Sequence, residues 1–124
     1  MGEVTRNILL HLIDSGVLFN GYSSTSLNTH YGFDASLLSK VEGAEEDEDI
    51  KKIIIHDLGM DLDSVTEECI EIVRWAVSMV ARRAASLAGC AIAAVVLHTG
   101  NEKSPPGEKD TGVDVGLDGR YVYI

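Results

Sequence analysis

Histidine and cysteine are the side chains of this sequence that most often bind metals or attack substrates. The four histidines are His11, His30, His56 and His98. They lie in four different segments, and none has a cysteine or carboxylate partner at the spacing of a metal site. Cys69 and Cys90 fall on one predicted helix, about 31 Å apart, so they cannot form a disulfide with each other. The pattern predicts no metal site and two reduced thiols, which are typical of a cytosolic protein.

Motifs for nucleophilic hydrolysis and phosphate binding are missing from the chain. It contains neither Gly-x-Ser-x-Gly nor Gly-x-x-x-x-Gly-Lys. The acidic run at about 42–49 has six carboxylates in eight residues. It lacks the alternating ligands and central glycine of a calcium loop. We therefore predict a solvated acidic loop, with a cation site as the weaker alternative.

Composition and charge exclude several classes of partner. The 124 residues suit one small domain, and 20 acidic against 10 basic residues give a net charge of -10. A protein that neutralises nucleic-acid phosphates or binds an anionic membrane surface normally has the opposite balance. The longest apolar run, Ala84–Leu97, is shorter than the roughly 20 residues of a membrane span. We expect no membrane span, no secretory signal and a cytoplasmic location.

Apolar residues at helical spacing predict that the first half of the chain is helical. An amphipathic helix runs from Glu3 to about Phe19, and Gly16 can end its regular part with a left-handed turn. A polar loop over 20–32 follows. Asp34 is a good N-cap for a short helix that contains Leu37 and Leu38. A further short helix is predicted over 50–58. These elements would pack through their apolar faces.

The second half of the chain predicts one long helix and one hairpin. The capping-box pattern at Ser64–Glu67 starts a helix of about 64–99. Its second half, Ala84–Leu97, is apolar on all sides and rich in small residues, which is typical of a helix buried inside a larger body. Alternating apolar residues around Asp118–Gly119 predict a β-hairpin at about 112–124. A hairpin alone is unstable in water, so it requires a sheet to join.

Four stretches, in order, resemble the C-terminal part of eukaryotic hexokinases, closest to the glucokinase branch. These stretches are Gly2–Leu10 (GEVTRNILL), Phe33–Glu42 (FDASLLSKVE), Arg82–Ala94 (RRAASLAGCAIAA) and Val115–Gly119 (VGLDG). The resemblance implies an α/β fold, in which residues 1–124 form part of the large lobe of the actin-like, ribonuclease-H-like hexokinase fold. This part would be mainly helical, with a C-terminal β-hairpin.

The resemblance also implies a function and a nucleotide contact. Hexokinases transfer the terminal phosphoryl group of ATP, complexed with magnesium, to the 6-hydroxyl of glucose or a related hexose. In the family, a Thr-x-x-Leu-Ser segment at a helix N-terminus borders the nucleotide. By this resemblance Ala35, Ser36 and Ser39 are the nucleotide-binding candidates, although Ala35 stands where the family has threonine. The equally weighted alternative is that Asp34 caps a surface helix with solvated serines.

Other family motifs are absent from these 124 residues. The catalytic aspartate of the family lies in an Asn-Asp-Thr pattern, and no Asn-Asp pair occurs here. The first phosphate loop, Asp-Gly-Gly-Thr-Asn, is missing as well. We therefore expect no catalytic residue and no bound metal from this chain, a fragment or truncated gene model that is inactive alone, and a need for the missing lobe in folding. The alternative function is a non-catalytic helical interaction module derived from a hexokinase.

Overall fold

The computed structural model describes residues 1–100 and 113–116 of the chain. The chain divides into two compact units, Met1–Arg82 and Arg83–Ile124. The helices in the described part are α1 (Gly2–Asp14), α2 (Thr25–Asn28), α3 (Ala35–Glu42), α4 (Asp47–Lys52) and α5 (Glu67–Thr99). Short 3-10 turns occupy Phe19–Gly21 and Leu62–Ser64, and a π-helical turn, Ile53–Asp57, continues α4. The described residues contain no β-strand.

Helix α1 ends earlier than the sequence pattern predicts. It stops at Asp14, before the predicted limit of about Phe19, and the left-handed turn predicted at Gly16 is confirmed. Gly16 has φ +73, the left-handed conformation that glycine adopts without steric cost, and its N–H donates to the Ile13 carbonyl at 2.8 Å. The chain therefore leaves the helix at Ser15 and turns Phe19 into the core, where its side chain is fully buried.

The acidic run is only partly a loop, so its predicted extent is wrong at the C-terminal end. Asp47, Glu48 and Asp49 form the first turn of α4. Carboxylates are stabilised there by the positive end of the helix dipole. Asp47 also accepts a hydrogen bond from Arg74 at 2.7 Å. Local charge repulsion is therefore offset by the helix N-terminus and by a cation from α5.

The long helix starts at Glu67, and its capping residue is Thr66 instead of Ser64. Thr66 Oγ1 accepts the Cys69 N–H at 3.3 Å. The Ser64 hydroxyl instead donates to the Asp61 carbonyl at 2.7 Å within a 3-10 turn. The helix prediction is confirmed, but the predicted capping box is wrong because Ser64 is committed to the preceding turn.

The hydrophobic core that the described residues form lies within the first unit. Its members come from every helix of that unit: Leu9, Ile13, Leu18, Phe19, Leu27, Phe33, Leu37, Leu38, Val41, Ile50, Ile54, Leu58, Met60, Val65, Cys69, Ile70, Val73, Ala76, Val77 and Val80. Helix α5 contributes the predicted stripe at three- and four-residue spacing, including Ile70, Val73 and Val77. Through this stripe, α5 joins the same core cluster as the short helices.

The helical residues of the second unit are largely exposed in the described part of the chain. Leu87, Val95 and Leu97 are all more than half exposed, and the free thiol of Cys90 is exposed as well. The described residues of this chain therefore leave this half of α5 uncovered, and its burial inside a larger body stays a prediction. The free thiol of Cys69, in contrast, is buried.

Helix α5 also changes the prediction about membranes. By length and composition alone, this helix could cross a bilayer. The prediction of no membrane span rested only on its uninterrupted run of 14 apolar residues, which is too short for a span. Only 6% of its apolar window is buried, but a single helix of this kind is weak evidence for a membrane span. This property therefore assigns no membrane to the chain.

The predicted hairpin is not seen where it can be checked. Residues 113–116 are described and form no strand. Residue 112 and residues 117–124, the remainder of the predicted hairpin, lie outside the described residues.

Candidate functional site

The start of α3 carries all three predicted nucleotide-binding residues. Asp34 has extended backbone geometry and its Oδ1 accepts the Ser36 N–H at 2.7 Å, so it caps the helix as predicted. Ser36 is exposed, whereas Ala35 and Ser39 are half-buried. Because Ala35 and Ser39 are one helical turn apart, they lie on the same side of α3.

Buried side chains on the opposite side anchor this helix. Leu37, Leu38 and Val41 of α3 are buried in the core. The Ser39 hydroxyl donates to the Ala35 carbonyl at 3.4 Å, a long bond that a better acceptor could replace. The serine is therefore held at the surface by a rigid helix, with a hydroxyl that is only weakly engaged.

The negative charge of Asp34 at the start of α3 favours some kinds of ligand over others. The Asp34 carboxylate already satisfies the Ser36 N–H and places a negative charge beside the remaining N–H groups. A carboxylate repels phosphate but accepts hydrogen bonds from hydroxyl groups. The arrangement therefore suits the ribose of a nucleotide better than its phosphates.

The first turn of α1 packs beside the start of α3. Gly2 is buried, and a Cβ atom added to it would overlap the Phe33 carbonyl oxygen and lie 3.1 Å from the Ala35 nitrogen. Sequence analysis treats Gly2 only as part of a motif. The spacing of 31 to 33 residues between the partners offers no local signal for this contact.

An ion pair in the same helix turn holds the loop that leads to α3. Arg6 is buried, and its guanidinium donates to both carboxylate oxygens of Glu3, at 2.8 and 2.6 Å, and to the Leu27 carbonyl at 2.6 Å. Glu3 also accepts the Tyr31 N–H at 2.9 Å. This ion pair was not predicted from the sequence, although Glu-x-x-Arg is a spacing at which helical side chains meet.

The Arg6 hydrogen bond to Glu3 is the main cause of a shifted pKa. Together with the Tyr31 N–H, and against partial desolvation, it lowers the pKa of Glu3 from 4.5 to about 2. Glu3 raises the pKa of Arg6 in turn. His30 Nδ1 also lies 3.5 Å from a carboxylate oxygen of Glu3.

The Glu3 carboxylate should make folding stability depend on pH in acid. Its folded pKa of about 2 is below the ordinary 4.5, so its contribution is complete above pH 4.5 and is lost as the pH falls toward 2. Glu3→Gln removes the titrating group. In urea unfolding of the 124-residue chain at pH 5, 4 and 3, we expect the Glu3→Gln midpoint to fall less than that of the unsubstituted chain.

A matched control is Glu71→Gln, which changes an exposed carboxyl of α5 outside this cluster. It should retain the acid-induced loss of the unsubstituted chain. Parallel pH profiles for Glu3→Gln and the unsubstituted chain would contradict the role assigned to this ion pair.

In the described residues, the other side chains that could bind a metal or react do not form a cluster. All four histidines are exposed, and the described residues contain no group of three or more His, Cys, Asp or Glu side chains that could hold a metal ion. The start of α3 is therefore the feature that unites the predicted site residues. Its role in nucleotide binding stays a prediction.

Comparison with known proteins gives consistent matches. The family model described as "Hexokinase" matches residues 1–123. The chain is 36% identical over 124 residues to Hexokinase-3 of Rattus norvegicus and 34% identical over 124 residues to Hexokinase HKDC1 of Homo sapiens. Each match covers the whole of this chain but only 13% of the relative, so the chain spans a small part of their length.

A solved structure matches as well. The hexokinase from Schistosoma mansoni complexed with glucose superposes with a TM-score of 0.70 at 30% sequence identity. The match covers 77% of this chain and 21% of that chain. The matched part of the chain therefore has the arrangement of part of the hexokinase fold.

Proposed function

The chain belongs to the hexokinase family, and we propose from this membership that it supplies part of the large lobe of an ATP:hexose 6-phosphotransferase. The observation that carries the proposal is the family match over residues 1–123, together with a structural match to a hexokinase that binds glucose. Glucose or a related hexose and ATP with magnesium are the proposed substrates.

The role proposed for this segment is to contact the nucleotide, not to perform the chemical step. Ser39 presents a weakly engaged hydroxyl, and Asp34 favours a hydroxyl-bearing ligand over phosphate at the start of α3. These properties support a contact between α3 and the ribose. The described residues hold no candidate metal group, so magnesium is proposed to arrive with ATP and to be held by other parts of the enzyme.

Finer assignments are predictions that rest on the sequence resemblance. These are the glucokinase branch, the C-terminal β-hairpin and a cytoplasmic location. The relatives reported above are Hexokinase-3 and Hexokinase HKDC1. They support membership of the hexokinase family and do not indicate the glucokinase branch.

A chimaera tests whether this segment works in a hexokinase. In it, residues 1–124 replace the corresponding segment of the Schistosoma mansoni hexokinase. We expect this chimaera to phosphorylate glucose with ATP, as measured by a coupled assay for glucose 6-phosphate. A folded chimaera without activity would overturn the proposed function.

Substitution of Ser39 in the chimaera tests the nucleotide contact. Ser39→Ala removes one neutral hydrogen bond, worth about 0.5–1.5 kcal/mol, so the KM for ATP should rise roughly two- to tenfold. The KM for glucose should stay within about twofold. Alanine has the higher helix propensity, so folding stability should not fall.

Two further variants sharpen this test. Ser78→Ala changes another half-buried helical serine, in α5, and should leave the KM for ATP unchanged. Ala35→Thr introduces the hydroxyl found in the family and should lower the KM for ATP by a similar or smaller factor than Ser39→Ala raises it. If Ser39→Ala moved only the KM for glucose, the assignment of this site would be wrong.

A further inference from the structure

We propose that Gly2 is a positioning residue for the nucleotide. Because it has no side chain, the first turn of α1 can rest directly on the backbone of residues 33–35 and thereby set the place of the α3 start. The inference rests on the proposed function, since it takes the α3 start as the nucleotide contact. Gly2 itself touches no substrate in this proposal.

The contact leaves no room for any side chain at position 2. A Cβ atom there would overlap the carbonyl oxygen of Phe33 and lie 3.1 Å from both the Asp34 carbonyl carbon and the Ala35 nitrogen. These are backbone atoms, so they cannot swing away as the end of a flexible side chain can. The direction of a Cβ is fixed by the helix backbone, and therefore any substitution must separate α1 from residues 33–35.

The loop before Phe33 cannot absorb that separation freely. It is tied to the same turn of α1 by the hydrogen bonds from Arg6 to Leu27 and from Tyr31 to Glu3. Tyr31 also has φ +62, a conformation that a side-chain-bearing residue rarely adopts. The Phe33 side chain is fixed as well, because it is only 1% exposed in the core.

A displacement caused at Gly2 is therefore transmitted to the start of α3. The Asp34 cap bonds the Ser36 N–H, and Ser39 lies one turn further along the same helix. A small shift of this helix moves the hydroxyl and N–H groups together. Misplacement of binding groups by a fraction of an ångström weakens binding without removing any group that touches the ligand.

The experiment uses the chimaera described above with Gly2→Ala. We expect the KM for ATP to rise about five- to twentyfold, while the KM for glucose stays within about twofold. A second measurement, which needs no catalytic turnover, is the rise in melting temperature that bound MgADP causes. The concentration of MgADP required for half-maximal protection should rise by a similar factor, and protection by glucose should not change.

Two controls separate positioning from general destabilisation. Gly89→Ala makes the same chemical change in α5, where an added Cβ meets no atom within 4 Å, and it should leave both KM values unchanged. Val73→Ala removes buried core volume far along the sequence from α3. It should lower the melting temperature without a selective change in the KM for ATP.

The outcomes distinguish failure of this inference from failure of the proposed function. A folded, unsubstituted chimaera that phosphorylates no glucose would overturn the proposed function. An active chimaera in which Gly2→Ala leaves the KM for ATP and the MgADP protection as in Gly89→Ala would overturn only the positioning role. Equal changes in both KM values, or loss of folding in Gly2→Ala, would also overturn it, because Gly2 would then serve folding alone.

Discussion

The purified 124-residue chain should phosphorylate glucose no faster than a protein-free control. Hexokinase chemistry requires a carboxylate base on the sugar hydroxyl and donors that stabilise the transferred phosphoryl group. In the family the base lies in an Asn-Asp-Thr pattern, but here each asparagine is followed by Ile, Gly, Thr or Glu. Loss of a general base alone costs roughly 10²–10⁴-fold in rate. The missing phosphate loop adds to this loss.

The measurement is a coupled assay that detects glucose 6-phosphate, with the chimaera as the positive control. The Ser39→Ala variant of the 124-residue chain provides a matched negative control, since it changes only the proposed nucleotide contact. Product that depends on both ATP and glucose, and that persists through repeated purification, would contradict the prediction. It would mean that this segment contains a base which the family comparison does not identify.

Phe33→Ala should cause a large loss of folding stability. The Phe33 side chain is 1% exposed in the core of the first unit. Truncation of a buried phenylalanine to alanine costs about 3–5 kcal/mol, from lost burial and from the cavity that remains. Total stabilities of domains are about 5–15 kcal/mol, so the variant should be unfolded in a substantial fraction or at much lower urea concentration.

Urea unfolding of the 124-residue chain, followed by circular dichroism, measures this loss. Tyr22→Ala is the matched control, because it removes an aromatic ring that is 70% exposed. Its effect should be within about 0.5 kcal/mol of zero. A Phe33→Ala variant that unfolds at the same urea concentration as Tyr22→Ala would show that the core does not depend on this side chain.

The helical character of the chain can be predicted from sequence because it depends on neighbours within four residues. The stripe of Ile70, Val73 and Val77 in α5 and the cap at Asp34 are both confirmed. The same local rules do not decide between competing caps. Ser64 and Thr66 are both good capping residues, and Thr66 serves because the Ser64 hydroxyl donates to Asp61 in the preceding turn.

The resemblance to hexokinases was also available from the sequence, and the family is confirmed. It places Ala35, Ser36 and Ser39 together, and the structure finds them at the start of one anchored helix. Their contact with a nucleotide remains a prediction. The second half of α5 is exposed in the described residues, and its burial inside a larger body stays a prediction, since burial depends on what covers a helix as well as on its composition.

Contacts between distant segments were decided by the tertiary structure alone. The overlap that forbids a side chain at Gly2 joins residues 31 to 33 positions apart. The hydrogen bonds of Arg6 to Leu27 and of Glu3 to Tyr31 span 21 and 28 positions. Sequence by itself determined the family and most of the helices, because both depend on local periodicity and motif order, although α2 lies within the predicted polar loop. The placement of α3 against α1 required the packed core, because it depends on which backbones approach one another.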